Sequence, residues 1–188
     1  MQTIILNASP HRGGNLSRFA DVVADELAAC GHSVETIALY DLRFGPCRSC
    51  DACAATGRCA FGDDFGDLAA RLLAADLIIF ATPVYWFSVS GVMKTFMDRT
   101  QSLWHGRQLR TKAGAALVAQ AHAGAAETCA LLASFCRYHG MRWLGCSTVT
   151  TRDQRDLVAG SAELQEQARE FAKRLRIAQA AGEPPAAP

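Results

Sequence analysis

The 188-residue sequence predicts an α/β fold: a doubly wound, five-stranded parallel sheet in the order 2-1-3-4-5, forming the middle of a three-layer sandwich. Three observations lead there. Strand-like and helix-like segments alternate five times, which puts helices on both faces of a parallel sheet. Leu77–Ala81 is continuously apolar, as strands buried on both faces are. Right-handed crossovers leave few layouts for five such strands, and this order is the common one at this length.

The elements follow in sequence. Thr3–Ala8 is a short apolar run that ends in a polar, glycine-rich turn, Ser9 to Asn15. Leu16, Phe19, Val23, Leu27 and Cys30 then recur every three or four residues, one face of a helix that Gly31 stops. Val34–Leu39 reads as the second strand, and residues 41–62 as a long irregular loop. Phe65–Ala75 is helical, introduced by Asp63 and Asp64 as capping residues at its start. After the third strand, Val92, Met93, Phe96 and Met97 mark a helix, with Trp104 beyond it. Ala113–Ala119 is a small-residue strand, Glu127–His139 a helix, and Arg142–Cys146 the fifth strand. The last helix carries Leu164, Ala168, Phe171, Leu175 and Ala178 on one stripe, with Ser161 as N-cap and Glu170 placed to pair with Lys173 or Arg174.

Residues 1–180 are expected to form a single domain with a cysteine-rich loop at 43–62, and 181–188 a disordered tail. The chain is 50% hydrophobic, ample for one core, and its net charge of +1 argues against nucleic acid or an anionic membrane as partner. No stretch approaches the roughly 20 apolar residues of a membrane helix. The amino-terminal residues lack a basic n-region, so a cytoplasmic location is expected.

In open α/β sheets ligands bind beyond the carboxyl ends of the strands, at the switch point between strands one and three. That rule selects the loops at 9–17, 82–88 and 120–124. The first suits a phosphate: glycines permit close backbone approach, a helix N-terminus offers free N–H groups, Ser9, Asn15 and Ser17 add donors, and Arg12 adds charge. No Gly-Lys-Ser/Thr follows, so a nucleoside-triphosphate loop is disfavoured. The second loop sets Tyr85, Trp86 and Phe87 side by side after a buried strand, a surface suited to a flat ring such as isoalloxazine or to a subunit contact.

Asn-Ala-Ser-Pro-His-Arg-Gly-Gly-Asn at 7–15, the Cys47 to Cys59 loop followed by Asp63 and Asp64, and the run from Thr82 to Arg99 occur in order and at family spacing. Together they resemble the NADPH-dependent FMN reductases, flavodoxin-like proteins that include an iron-sulfur flavoprotein branch. The resemblance spans about residues 1–125. It implies that Ser9, Arg12, Asn15, Leu16 (through its backbone) and Ser17 hold the FMN phosphate. It also implies that Pro83, Val84, Tyr85, Trp86, Phe87 and Ser88 surround the ribityl chain and ring, and that His122 and Gly124 approach from the third loop. The sequence departs from the family pattern at three places. Leu16 stands where threonine is frequent, the third loop has one glycine of the usual pair, and Phe87 replaces a small residue.

Cys47, Cys50, Cys53 and Cys59 put four thiolates on one loop, enough for a [4Fe–4S] cluster. Zinc and reversibly oxidised thiols stay open as alternatives. Cys30, Cys129, Cys136 and Cys146 read as buried small hydrophobes, and His32, His105 and His139 as surface or helix-end residues. The expected function is an FMN-dependent oxidoreductase in which hydride passes from NAD(P)H to FMN and on to a quinone, flavin or electron carrier. The alternative is an iron-sulfur flavoprotein that carries single electrons. A homodimer or homotetramer is expected in either case, with no protein side chain as general acid or base.

Overall fold

The computed structural model describes residues 1–180, so the expected tail at 181–188 lies outside the described residues. Its elements are β1 (Gln2–Asn7), α1 (Asn15–Ala29), β2 (Ser33–Ala38), a 3-10 turn (Leu39–Asp41), α2 (Cys53–Thr56), α3 (Phe65–Ala74), β3 (Leu77–Pro83), α4 (Gly91–Arg99), α5 (Gln101–Trp104), β4 (Ala113–Gln120), α6 (Ala125–Tyr138), β5 (Arg142–Thr150), α7 (Leu157–Gly160) and α8 (Ala162–Ala180). All strand pairs are parallel and the order is β2-β1-β3-β4-β5, as the alternation predicts.

The core lies on both sides of this sheet because side chains of a strand alternate faces. Ile4, Leu6, Ile78 and Phe80 pack on one side with Phe65, Leu68, Leu72, Phe96 and Leu132 of α3, α4 and α6. Ile5, Leu77 and Ile79 pack on the other with Phe19, Val23 and Leu27 of α1 and Phe171 and Leu175 of α8. Each such fully buried side chain is worth about 1.5–3 kcal/mol in transfer free energy. Among the described residues, no helix is long and apolar enough to cross a membrane.

Several details differ from the sequence-based expectation. β5 continues four residues past Cys146, to Thr150, after a bulge at which Gly145 takes φ 117°. As the edge strand it needs one buried face only, so Ser147–Thr150 alternates buried and exposed instead of forming an apolar run. In α8, Ser161 Oγ accepts the Leu164 amide at 3.2 Å, as an N-cap does, but the acid that pairs with Arg169 and Lys173 is Glu166, not Glu170.

His139 is buried instead of lying at the surface. The four scattered cysteines also divide: Cys136 is buried, Cys30 is exposed, and Cys129 and Cys146 form a disulfide joining α6 to β5. The two bonded sulfurs come together because α6 crosses over β5, a tertiary fact that their separation of 17 residues does not announce.

Candidate functional site

A cleft of about 750 Å³ opens at the carboxyl ends of β1, β3 and β4. Its floor is the turn after β1, where Asn7, at the strand end, organises the backbone. The Asn7 carboxamide oxygen accepts the Ser9 amide at 2.9 Å, and its nitrogen donates to Ser17 Oγ at 3.0 Å. Ser17 Oγ in turn donates to the His11 carbonyl at 3.2 Å, which closes the loop back on the helix. Gly13 takes φ 69°, a left-handed conformation that costs a larger residue free energy. The amides of Asn15, Leu16 and Ser17, first in α1, donate to no acceptor among the described residues. They are the unpaired donors every helix start carries, at the positive end of its dipole.

Of the residues expected to surround FMN, Ser9, Arg12, Asn15, Leu16, Pro83, Val84 and Tyr85 line the cleft. Their side-chain roles are more particular. Leu16 is buried in the core, so only its backbone is available to a ligand. Ser17 lies below the cleft floor, its hydroxyl committed to the turn. Arg12 is ion-paired with Asp41, from the 3-10 turn after β2. Asn15 reaches away from the turn: its nitrogen donates to the Gln154 carbonyl and its oxygen accepts the Val158 amide at 3.0 Å.

That last contact exposes a wall the sequence reading missed. Thr151, Asp153, Gln154, Arg155 and Asp156, the loop after β5, complete the cleft. The carboxyl-end rule would have selected this loop had β5 been read to its full length.

The aromatic loop is a tight hairpin. Tyr85 and Ser88 exchange backbone hydrogen bonds at 2.9 and 3.1 Å, and the two residues between them, Trp86 (φ 51°) and Phe87 (φ 60°), are both left-handed. Such two-residue turns favour Asn-Gly, and bulky side chains there store strain. Trp86 is 95% exposed at the tip, with Phe87 and Tyr85 beside it. Trp86, Phe87 and Ser88 therefore stand outside the cleft lining, and only Tyr85 contributes to its wall. Thr82 and Ser90 tie the base of the hairpin to the first loop, Ser90 Oγ donating to the Ala8 carbonyl at 3.1 Å.

In the third loop Ala121 lines the cleft, whereas His122 is exposed and pairs with Asp153 at 3.0 Å. Gly124 sits against the hairpin at φ 100°. A Cβ there would meet Val84 Cγ1 at 2.7 Å and Phe87 Cα at 2.9 Å, so the hairpin's seat depends on this glycine. The donor set fits a phosphate-bearing flavin: free helix-terminal amides at Asn15 and Leu16, with Tyr85 as an aromatic side chain in the wall.

Cys47, Cys50, Cys53 and Cys59 all line a second cavity, of about 540 Å³, between the cysteine-rich loop and α4, α5 and α6. Burial first, and then the neighbouring thiols of Cys59, Cys47 and Cys50, push the Cys53 thiol above its ordinary pKa. Among the described residues no three His, Cys, Asp or Glu side chains are converged as ready ligands. The four thiols share one cavity at one loop, and their donor chemistry fits an iron-sulfur cluster.

Arg99, 1% exposed at its side chain, anchors this loop. Its Nη1 donates to Asp63 Oδ2 at 2.7 Å and to the Gly45 carbonyl at 2.9 Å. Nη2 donates to Asp63 Oδ1 at 2.7 Å and to Cys59 Sγ at 3.3 Å. Those hydrogen bonds hold the Asp63 carboxyl below the usual carboxylate range. Asp63 does accept the Phe65 amide at 3.3 Å, as a helix-start residue, but its main partner is Arg99, a pairing that sequence spacing alone did not disclose.

Residues 1–156 match the family model for NADPH-dependent FMN reductases. The chain is 33% identical over 147 residues to an iron-sulfur flavoprotein of Methanocaldococcus jannaschii, covering 77% of this chain and 76% of that one. It is also 33% identical over 127 residues to an iron-sulfur flavoprotein of Archaeoglobus fulgidus, covering 68% of this chain and 58% of that one. The chain thus spans less than two thirds of the Archaeoglobus relative. A solved WrbA-like flavodoxin from Agrobacterium tumefaciens superposes with a TM-score of 0.68 at 21% identity, over 97% of this chain and 99% of its own.

Proposed function

This chain belongs to the NADPH-dependent FMN reductase family, and from that premise we propose that it holds FMN in the cleft beyond β1, β3 and β4. The chain is an FMN-dependent oxidoreductase, with NAD(P)H as electron donor and a quinone, flavin or electron carrier as acceptor. Bound FMN supplies the two-electron chemistry, and the protein supplies placement and exclusion of water. The observation that carries this reading is the pair of free amides at Asn15 and Leu16, both cleft-lining residues, with the free amide of Ser17 next in the same helix turn.

The residues divide the work. The amides at 15–17 bind the phosphate, and the Ser9 hydroxyl and Arg12 guanidinium lie beside them to add donors. Pro83, Val84 and Tyr85 wall the ribityl chain and ring, with Trp86, Phe87 and Ser88 closing over it or meeting a second subunit. Ala121 leaves room on the third side, Gly124 seats the hairpin beside it, and His122 pairs with Asp153 of the cleft wall. The exposed Tyr85–Phe87 patch supports a homodimer or homotetramer. Six unbonded cysteines support a reducing, cytoplasmic setting, and the Cys129–Cys146 disulfide is the feature that argues against it.

A second reading is favoured by the cavity that all four loop cysteines line: Cys47, Cys50, Cys53 and Cys59 ligate a [4Fe–4S] cluster that exchanges single electrons with the flavin site. Anaerobic absorption spectra before and after NADPH test both readings. Two flavin bands bleached stoichiometrically by NADPH are the result expected of the reductase. Protein that takes up no FMN would overturn it. A broad brown shoulder with iron and acid-labile sulfide is the result expected of the cluster.

A further inference from the structure

We propose that Arg99 is the positioning residue of the four-cysteine centre: its guanidinium clamps the two ends of the loop and donates an N–H···S hydrogen bond to Cys59, which raises the reduction potential of the metal-thiolate group held there. The inference rests on the cluster reading above.

Four observations support it. First, one side chain spans the loop, from the Gly45 carbonyl, two residues before Cys47, to Asp63, four residues after Cys59. Second, Nη2 lies 3.3 Å from Cys59 Sγ, within hydrogen-bond reach of a sulfur acceptor. Third, the guanidinium is held in place from outside the hydrogen bonds as well, over the Phe61 ring at 5.2 Å and the Phe65 ring at 4.8 Å. Fourth, Arg99 Nε is buried with no partner, although the residue lines the cysteine cavity. A buried donor without an acceptor is costly, and sulfur atoms in that cavity would supply one.

The direction of the effect follows from charge. Reduction adds one electron to the metal-thiolate centre, supplied in the test by dithionite, and the added negative charge is stabilised by a fixed cationic donor on a ligand sulfur. Hydrogen bonds to the sulfurs are among the determinants of cluster potential. Lysine keeps the charge at position 99 but, as a point donor, cannot serve Asp63, Gly45 and Cys59 together.

Wild type, Arg99→Lys and Asp63→Asn are prepared without oxygen and reconstituted with iron and sulfide. Iron, sulfide and FMN are counted, and the cluster is titrated with dithionite under electron paramagnetic resonance. The expected result is Arg99→Lys with FMN retained and its reduced-to-oxidised cluster ratio at a fixed poise lowered at least tenfold, 59 mV for one electron. Asp63→Asn leaves the guanidinium on Cys59, so its potential does not fall below wild type. That variant also keeps the inference falsifiable if Arg99→Lys does not fold. A loaded Arg99→Lys protein at the wild-type potential, or an Asp63→Asn protein below it, overturns the role of Arg99 alone. Wild type with neither iron nor sulfide overturns the cluster reading and this inference with it.

Discussion

The Asn15 side chain grips Val158: its carboxamide oxygen accepts the Val158 amide at 3.0 Å, while its nitrogen donates to the neighbouring Gln154 carbonyl. A residue in the first loop thus fixes the loop after β5, more than 130 residues away. The cleft gains a wall, and the Asn15 side chain acts as its fastener.

Asn15→Ala is therefore expected to weaken FMN and riboflavin by similar factors, because it frees a wall common to both. Two lost hydrogen bonds set a stability cost of about 1–3 kcal/mol. Preference for FMN over riboflavin should persist, since the amides at 15–17 remain. Fluorescence titration with both flavins checks this. Equal wild-type affinity for the two would refute the phosphate site.

The hairpin tip gives the opposite sign of stability change. Trp86 is almost fully exposed in a left-handed conformation, which costs a bulky residue about 1–2 kcal/mol. Trp86→Asn should raise the denaturation midpoint while lowering flavin affinity or dissociating an oligomer. Chemical denaturation together with light scattering and flavin titration measures all three. A variant that is less stable than wild type would show that Trp86 is not strained.

What the sequence disclosed and what it hid have physical reasons. The sheet order was legible because Thr3–Ala8 and Leu77–Ala81 are apolar runs of strand length, while the stripe through Phe19 and Val23 has the helical period, so strands and helices alternate visibly. The glycine-rich turn after β1 was legible because glycines and a helix start are local features. Ser147–Thr150 was not, since an edge strand with one wet face resembles a polar loop, and the cleft wall that follows it was lost with it. Arg99 with Asp63, and Cys129 with Cys146, pair only after helices pack on the sheet, so no spacing rule reports them.

The disulfide leads to a thiol count. Protein purified without reductant and then denatured should show six reactive thiols, and eight after reduction, if no metal is bound. Under native conditions Cys136 should react slowest, because burial raises its thiol pKa steeply. Closing a loop of this length contributes roughly 3 kcal/mol in the chain-entropy model, so reduction should lower the melting temperature. Eight thiols before reduction would show that Cys129 and Cys146 are not bonded.

The Asp63–Arg99 pair should be costly to break from one side. Asp63→Ala leaves a buried guanidinium without its carboxylate, and such losses run to about 3–5 kcal/mol. Because the Asp63 pKa is depressed, its contribution is fully present above the ordinary carboxylate value of 3.8 and is lost as pH falls through the lower folded-state value. Urea denaturation at neutral pH should therefore separate Asp63→Ala clearly from wild type. A difference below about 1 kcal/mol would place the pair among surface ion pairs instead.

His139 titrates at a different place and supplies the steeper acid dependence near neutrality. Its ring packs on Phe135 at 4.6 Å, and its Nε2 meets Thr100 Oγ1 at 3.0 Å. The Thr100 hydroxyl already donates to the Met97 carbonyl at 2.6 Å, so Nε2 carries the hydrogen and Nδ1 is left buried without a partner. Burial disfavours the imidazolium and pushes the pKa from the ordinary 6.5 down to about 4. Between those values the unfolded chain binds a proton that the folded chain refuses, so stability falls as pH falls through this window. At about 1.4 kcal/mol per pKa unit the full loss is roughly 3 kcal/mol, complete near pH 4 and absent above about pH 7. Melting temperature measured from pH 7.5 to 4 should drop along this curve, and His139→Gln should flatten it even if the variant is less stable at pH 7.5. An unchanged slope in His139→Gln would assign the acid sensitivity to other groups.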